Sequence, residues 1–233
     1  MKSNLNDYPV TRTTIQLSGR EILLTIVDDP DHFLDELSKE DSEGRLFLPY
    51  WIYLWESAIA LARHVYGKKE AFTDQYILEI GCGFGLAGIA ASQVGAKVVF
   101  TDFEHDALLF AKHNAQLNNV DSATFIQMDW SAPCFHYKFD VILASDVIYE
   151  EQNWQPILCL LQSLLSDNGI AIFSEPNRKN ADGFFECIRE NGFMYQKSTC
   201  TISLDQKTTL INIYTVKRVY SKNHNYLDIG EVS

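Results

Sequence analysis

The sequence predicts an α/β protein: a doubly wound, mainly parallel seven-stranded sheet with helices on both faces, extended by an N-terminal β-hairpin. From Tyr76 onward, short apolar runs alternate with segments of helical periodicity. A glycine-rich turn joins the first of these runs to the helix after it, and two long segments around a polar turn close the chain. Alternation of this kind sets strands side by side with crossover helices packed over them.

Residues 11–17 and 21–27 flank Ser18-Gly19-Arg20 and read as a β-hairpin with glycine at the turn. Asp28-Asp29-Pro30-Asp31 breaks that pattern, and residues 31–38 read as a short helix capped by an acid. A polar stretch, Lys39 to Arg45, leads to Leu48-Pro49-Tyr50-Trp51. Apolar residues then recur at helical spacing from Trp51 to Tyr66, with Gly67 as the stop. Strands are expected at 76–80, 97–101, 123–127, 139–145 and 169–173, and helices at 85–94, 106–118, 154–165 and 181–191. Gly95, Asn118-Asn119 and Asn168-Gly169 stand where helices should stop. Residues 193–201 and 207–217 read as a closing antiparallel hairpin, and Ser221 to Ser233 as a flexible tail. No repeat, low-complexity run or linker divides the chain. Residues 1–233 are therefore expected to form one domain, with a hairpin-and-helix extension over 11–48 and a core over 49–217.

The chain has 233 residues, 46% hydrophobic and 21% charged, enough to bury a large core without metals or disulfides. Its net charge of −12 repels phosphate backbones, so nucleic acid is not the expected partner. A cationic or neutral substrate suits that field better. The five cysteines (Cys82, Cys134, Cys159, Cys187, Cys200) form no C-x-x-C pair, and they read as reduced core thiols in a cytoplasmic protein. The first residues lack a signal-peptide pattern, and no run approaches the roughly 20 apolar residues that span a bilayer, so no membrane association is expected. The six histidines show no metal-ligand spacing, and no metal is expected.

The strand at 76–80 runs into Gly81-Cys82-Gly83-Phe84-Gly85-Leu86 and then a helix. Glycines at such a junction allow close backbone approach to a ligand, and the helix start supplies amides and partial positive charge. One reading is dinucleotide binding, because Gly83, Gly85 and Gly88 satisfy G-x-G-x-x-G and Asp102 ends the next strand. Glu79 argues the other way. A carboxylate on an apolar strand beside the loop repels a pyrophosphate and attracts a cofactor carrying an ammonium and a sulfonium.

Glu79-Ile-Gly81-Cys82-Gly83-Phe-Gly85 resembles the E-x-G-x-G-x-G loop of class I, seven-stranded methyltransferases. The resemblance implies S-adenosyl-L-methionine as cofactor, with this loop around its methionine part. It further implies that Asp102 bonds the ribose hydroxyls, that Phe103 flanks the adenine, and that Asp129 and Trp130, after Met128, contact the adenine. Ser145 and Trp55 complete the cofactor residues expected. The segment from Asp102 to Asp106 also reads simply as an acid-rich helix start, and a metal site there is a minor alternative.

The strand at 139–145 leads into Asp146-Val147-Ile148-Tyr149, at the sheet edge that lines the functional crevice in open α/β folds. The Pro-Pro motif of exocyclic-amine enzymes is missing here. Asp146-x-x-Tyr149 instead resembles the D-x-x-Y signature of a protein lysine methyltransferase subgroup, as do the N-terminal hairpin, the segment from Pro49 to Trp55 and the segment from Ser174 to Arg178. The chain departs from that pattern at Glu56-Ser57, where relatives often carry proline or glycine.

Methyl transfer to an amine asks chiefly for positioning of the nucleophile. Asp146 would accept a hydrogen bond from a lysine amine and Tyr149 would shape its pocket. Trp51 and Trp55 would hold the stem or the methylated product by cation–π contact. An apolar channel would offset the cost, on the order of 4 kcal/mol, of the neutral amine at neutral pH. Asp146 also reads as a cap for the turn after its strand, and Trp51 and Trp55, four apart on an expected helix, also read as core. The expected function is transfer of a methyl group to an amine, a protein lysine first, with a small-molecule amine or a catalytically silent interaction protein as alternatives.

Overall fold

The computed structural model describes residues 4–40, 49–204 and 207–219, so the tail expected at 221–233 and much of the polar stretch before Pro49 lie outside the described residues. Strands β1 (Val10–Leu17) and β2 (Arg20–Val27) pair antiparallel as a two-stranded sheet of their own. Helix α1 (Pro30–Glu40) follows. Ile15, Leu17, Ile22 and Leu24 turn one face of the hairpin inward, against α2 (Glu56–Gly67) and α3 (Leu86–Gln93). Burial of such a side chain contributes about 1.5–3 kcal/mol.

The main sheet contains β3 (Tyr76–Ile80), β4 (Lys97–Asp102), β5 (Thr124–Gln127), β6 (Phe139–Ser145), β7 (Leu165–Glu175), β8 (Phe193–Leu204) and β9 (Lys207–Arg218). Their order is β5-β4-β3-β6-β7-β9-β8. The first five are parallel, and β9 runs antiparallel to both β7 and β8. Alternate residues of the central strands feed two cores. Ile77, Val141 and Leu143 pack with α2 and α3, whereas Leu78, Ile80, Ile142 and Ala144 pack with α5 (Trp154–Leu164) and α6 (Ala181–Glu190). Helix α4 (His105–Leu117) follows β4. Because β4 and β6 lie on opposite sides of β3, the strand order reverses there, and such a switch point opens a crevice at the strand C-termini.

Three expectations need correction. The helix drawn from Trp51 starts at Glu56; Tyr50–Ile52 is a 3-10 turn, and Trp55, in extended conformation, is the residue before α2. Tertiary packing overrides the periodicity, since Trp51 is drawn into a cluster with Tyr8, Phe84 and Phe110. Asn168-Gly169 does not stop α5, which ends at Leu164; it lies inside β7. A Cβ on Gly169 would come within 2.9 Å of the Asp140 carbonyl, beside the register shift between Phe139 and Val141. Glycine there admits a close strand approach. Finally, only Cys82 is a buried thiol. Cys134 and Cys159 are exposed and Cys187 and Cys200 half-buried, none in a disulfide; Cys159 and Cys187 lie on α5 and α6, amphipathic helices that keep an outer face.

Among the described residues no helix is long and apolar enough to cross a membrane, and no group of His, Cys, Asp and Glu could hold a metal ion.

Candidate active site

The crevice begins at the turn from β3 into α3. Gly81 has φ +61°, and a Cβ there would lie 2.9 Å from Val147 Cγ1 and 3.3 Å from Trp130 Cζ2. Only glycine combines that backbone with that closeness. The Gly83 N–H donates to one oxygen of Asp102 at 2.9 Å and the Glu104 N–H to the other at 3.0 Å. A carboxylate offers about four lone-pair sites, so Asp102 keeps acceptor capacity after fixing the loop. Burial pushes its carboxyl up to about 6.

Glu79 stands behind this loop. Its carboxyl accepts the Gly88 N–H at 3.1 Å, in the first turn of α3. Burial, aided less by the charge on Asp102, pushes it up to about 8, so at neutral pH Glu79 is largely protonated. A Cβ on Gly88 would lie 2.3 Å from Phe100 Cε1 and 2.4 Å from Glu79 Oε2, so this glycine is what lets α3 close on β3 and β4.

A cavity of about 670 Å³ opens in front of the loop. Of the residues expected from sequence, Gly81, Cys82, Gly83, Asp102, Phe103 and Asp129 line it, and so do Trp130, Ser145, Asp146, Tyr149, Trp51 and Trp55. Glu79 and Gly85 do not: Glu79 acts on the loop through Gly88, and Gly85 precedes the first residue of α3. Trp51 forms the base of one wall within its aromatic cluster, and the Trp55 indole N–H donates to the Tyr50 carbonyl at 3.1 Å. Asp129 accepts from the Ser131 amide and hydroxyl, each at 2.8 Å, and these bonds hold its carboxyl below the usual carboxylate range.

The other end of the cavity belongs to the turn after β6. Asp146 has φ +54°, a costly conformation for a non-glycine residue that is held by its N–H donating to the Ser174 carbonyl at 2.8 Å. Its carboxylate makes no cap for the turn. Arg178 donates Nε–H to one oxygen at 2.9 Å and Nη2–H to the other at 3.0 Å. Burial raises the Asp146 carboxyl and Arg178 pulls it back down, with a net rise. Burial likewise pushes the Tyr149 phenol up to about 12.

Sequence reasoning missed three supports. Arg178 was visible only as part of a family segment, and nothing local marks a partner 32 residues earlier. Glu175 is fully buried and accepts from Asn212 at 2.6 Å and from the Arg178 N–H at 2.5 Å, anchoring the segment after β7. Asn114 on α4 donates to the carbonyls of Thr25 and Phe84, both at 3.1 Å, and ties the hairpin to the glycine loop. An asparagine on the inner face of an amphipathic helix was the available signal.

The site fits the cofactor that the loop resemblance implies. Gly81 leaves a cradle that a Cβ would fill, Asp102 retains free lone pairs, and the buried Trp130 indole N–H beside the loop has no hydrogen-bond partner. Asp102, Glu104, Asp129, Asp146 and Glu150 also line the cavity, with Arg178 as its basic residue, so the field favours a cation.

Comparison with known proteins agrees with this geometry. The solved structure of ribosomal protein L11 methylase from Lactobacillus delbrueckii subsp. bulgaricus matches with a TM-score of 0.61, covering 89% of this chain and 99% of that one at 22% identity. Magnesium protoporphyrin IX methyltransferase from Synechocystis PCC 6803 matches with a TM-score of 0.54, covering 81% and 97% at 20% identity. At such identities they show the fold alone. Fold and loop together define a class I S-adenosylmethionine-dependent methyltransferase. Within that class the chain belongs to the lysine methyltransferase family, whose model matches residues 51–191. Histone-arginine methyltransferase METTL23 of Xenopus laevis is 28% identical over 57% of this chain and 62% of its own length. Its Mus musculus counterpart is 30% identical over 53% of this chain and 51% of its own length, so the chain spans about half to two thirds of these relatives. Protein N-lysine methyltransferase METTL21A of Mus musculus is 29% identical over 62% of this chain and 69% of its own length.

Proposed function

We propose that this protein methylates a nitrogen of a protein side chain, with lysine as the first assignment, in a cytoplasmic setting. The observation that carries the reading is the carboxylate of Asp146, buried at the C-terminal end of β6 in the same cavity as the glycine loop. The family match supports lysine. The Arg178 guanidinium seated on Asp146 favours a second reading, arginine, because it demonstrates that a planar fork fits there.

S-Adenosylmethionine, when bound, supplies a methyl group on a sulfonium, open to in-line displacement. Gly81, Gly83 and Asp102 would hold it, with Trp130 against the loop. Asp146 orients the acceptor nitrogen by accepting its N–H, and Tyr149 forms the wall beside it. Tyr149 is no base at neutral pH, since its phenol stays protonated to about 12. A lysine acceptor, bound as the ammonium, gives up a proton to the Asp146 carboxylate or to solvent before transfer, and catalysis rests on positioning.

The test is transfer of a radiolabelled methyl group from S-adenosylmethionine into dialysed lysate of the source organism, resolved on a gel. Label in a discrete protein band, with mass spectrometry locating it on lysine or arginine, is expected. Label confined to small molecules and lost on dialysis would overturn the reading in favour of a metabolite amine. Cofactor binding with no transfer at all would leave a silent binding protein.

A further inference from the structure

Asp146 and Tyr149 offer the two features that bind an organic cation, a carboxylate and an aromatic face. The chain already carries a cation there. Besides its fork on Asp146, the Arg178 guanidinium carbon lies 5.8 Å from the Tyr149 ring centroid, and Tyr50 meets that ring edge-on at 5.5 Å. The Asp146 side chain is 3% exposed and that of Arg178 33%, so the guanidinium is the solvent-side member of the pair. An acceptor reaching this carboxylate meets Arg178 first.

We propose that Arg178 is a resident stand-in for the side chain to be methylated. It occupies the acceptor subsite on Asp146 and Tyr149 and is exchanged for a cationic side chain of the substrate. The inference rests on the acceptor site assigned above and deepens it: the exchange selects cationic acceptors and rejects neutral ones.

The parts on either side of the guanidinium are held without it. The Arg178 backbone is fixed by its N–H to Glu175, which Asn212 and, at 3.4 Å, the Tyr214 hydroxyl hold in turn. The Asp146 backbone is fixed by the bond to Ser174, and the Tyr149 carbonyl accepts from Asn180 Nδ2 at 2.9 Å. The swinging part is thus the arginine side chain alone. Charge then decides what can replace it. Glu175 and Glu56 both act on Asp146 as further acids, and burial already disfavours its ionised form. An ionised Asp146 without a cation is costly in that setting, and a neutral amide or alcohol cannot offset the cost. Another guanidinium or ammonium can.

The test is calorimetric titration of the protein saturated with S-adenosylhomocysteine, using methylguanidinium, n-butylammonium and neutral N-methylurea as probes. A pH of about 8.5 keeps carboxylates ionised and both cations charged. Removing a resident that fills the subsite most of the time should tighten cation binding roughly tenfold or more, by the arithmetic of a mostly blocked site. Arg178→Ala is therefore expected to bind at least one cationic probe that much more tightly than the parent, while N-methylurea gains nothing. Arg178→Gln provides the same reading if the alanine variant fails to fold. Adding Asp146→Asn to either variant should abolish the gain. Two results would overturn the proposal: neither variant binding a cation more tightly, or the gain surviving loss of Asp146. Binding is read without turnover, so its failure is distinct from failure of the labelling test, which the unsubstituted protein undergoes by itself.

Discussion

The two ends of the cavity solve the same problem, a buried carboxylate, in different ways. At the glycine loop, Asp102 and Glu79 accept hydrogen bonds from backbone amides, and burial raises both carboxyls. At the turn after β6, Asp146 is held by a side-chain cation. Backbone donors are rigid and cannot leave, which suits a loop that must present one shape to one cofactor. A side-chain donor can be exchanged, as the acceptor subsite proposed above requires. The cofactor end is thus built into the chain path, whereas the end proposed for the acceptor is built from an association between distant segments.

The widest separation of the two ends is expected from Asp146→Ala. Methyl transfer should fall about a hundredfold or more, as loss of nucleophile positioning does. Affinity for S-adenosylmethionine, measured by calorimetry, should stay within a few-fold, because no atom of Asp146 supports the glycine loop. A parallel collapse of cofactor affinity would show that the two ends are not independent.

Gly88→Ala is the complementary lesion. The added methyl meets Phe100 and Glu79 at 2.3 and 2.4 Å where α3 packs on β3 and β4, and both side chains are buried. Denaturant unfolding should register a loss of about 1–3 kcal/mol, typical of an overpacked core. Cofactor affinity should weaken with it, and restoration by a second substitution that shortens Phe100 would sharpen the argument.

The effect of Glu79→Gln should be the smallest of the three at low pH and grow as pH rises. The folded-state carboxyl is raised from 4.5 to about 8, so its stabilising contribution is complete below pH 4.5 and is lost as pH rises toward 8. Glutamine keeps an acceptor for Gly88 and does not titrate. The two proteins should melt alike near the bottom of that window. Toward its top the variant should melt higher, and the gap should widen steadily with pH across the window. Asp102, raised to about 6, leaves a residual slope of the same sign in both. Equal melting profiles across the window would mean that Glu79 is ionised in place.

Much of this was legible beforehand. The strand-to-helix alternation, the hairpin, the glycine turn and the positions of Asp102 and Asp146 at strand ends follow from spacing along the chain. Each depends on residues within a few places of one another. The exceptions are instructive. Trp51 and Trp55 keep helical spacing, yet Tyr8, Phe84 and Phe110 capture the first and the Tyr50 carbonyl the second. Asn168-Gly169 has the composition of a helix stop, yet the approach of β6 makes it a strand position.

By itself, the sequence determined the sheet, the glycine cradle and which acids stand at the crevice, because hydrophobic period and glycine at a turn act locally. Only the tertiary structure decided the state of those acids. Protonation of Glu79 depends on how tightly α3 closes over β3, and the partner of Asp146 depends on two strand ends meeting across the sheet. Burial and ion pairing are properties of neighbours in space, and neighbours in space exist only once the chain has folded.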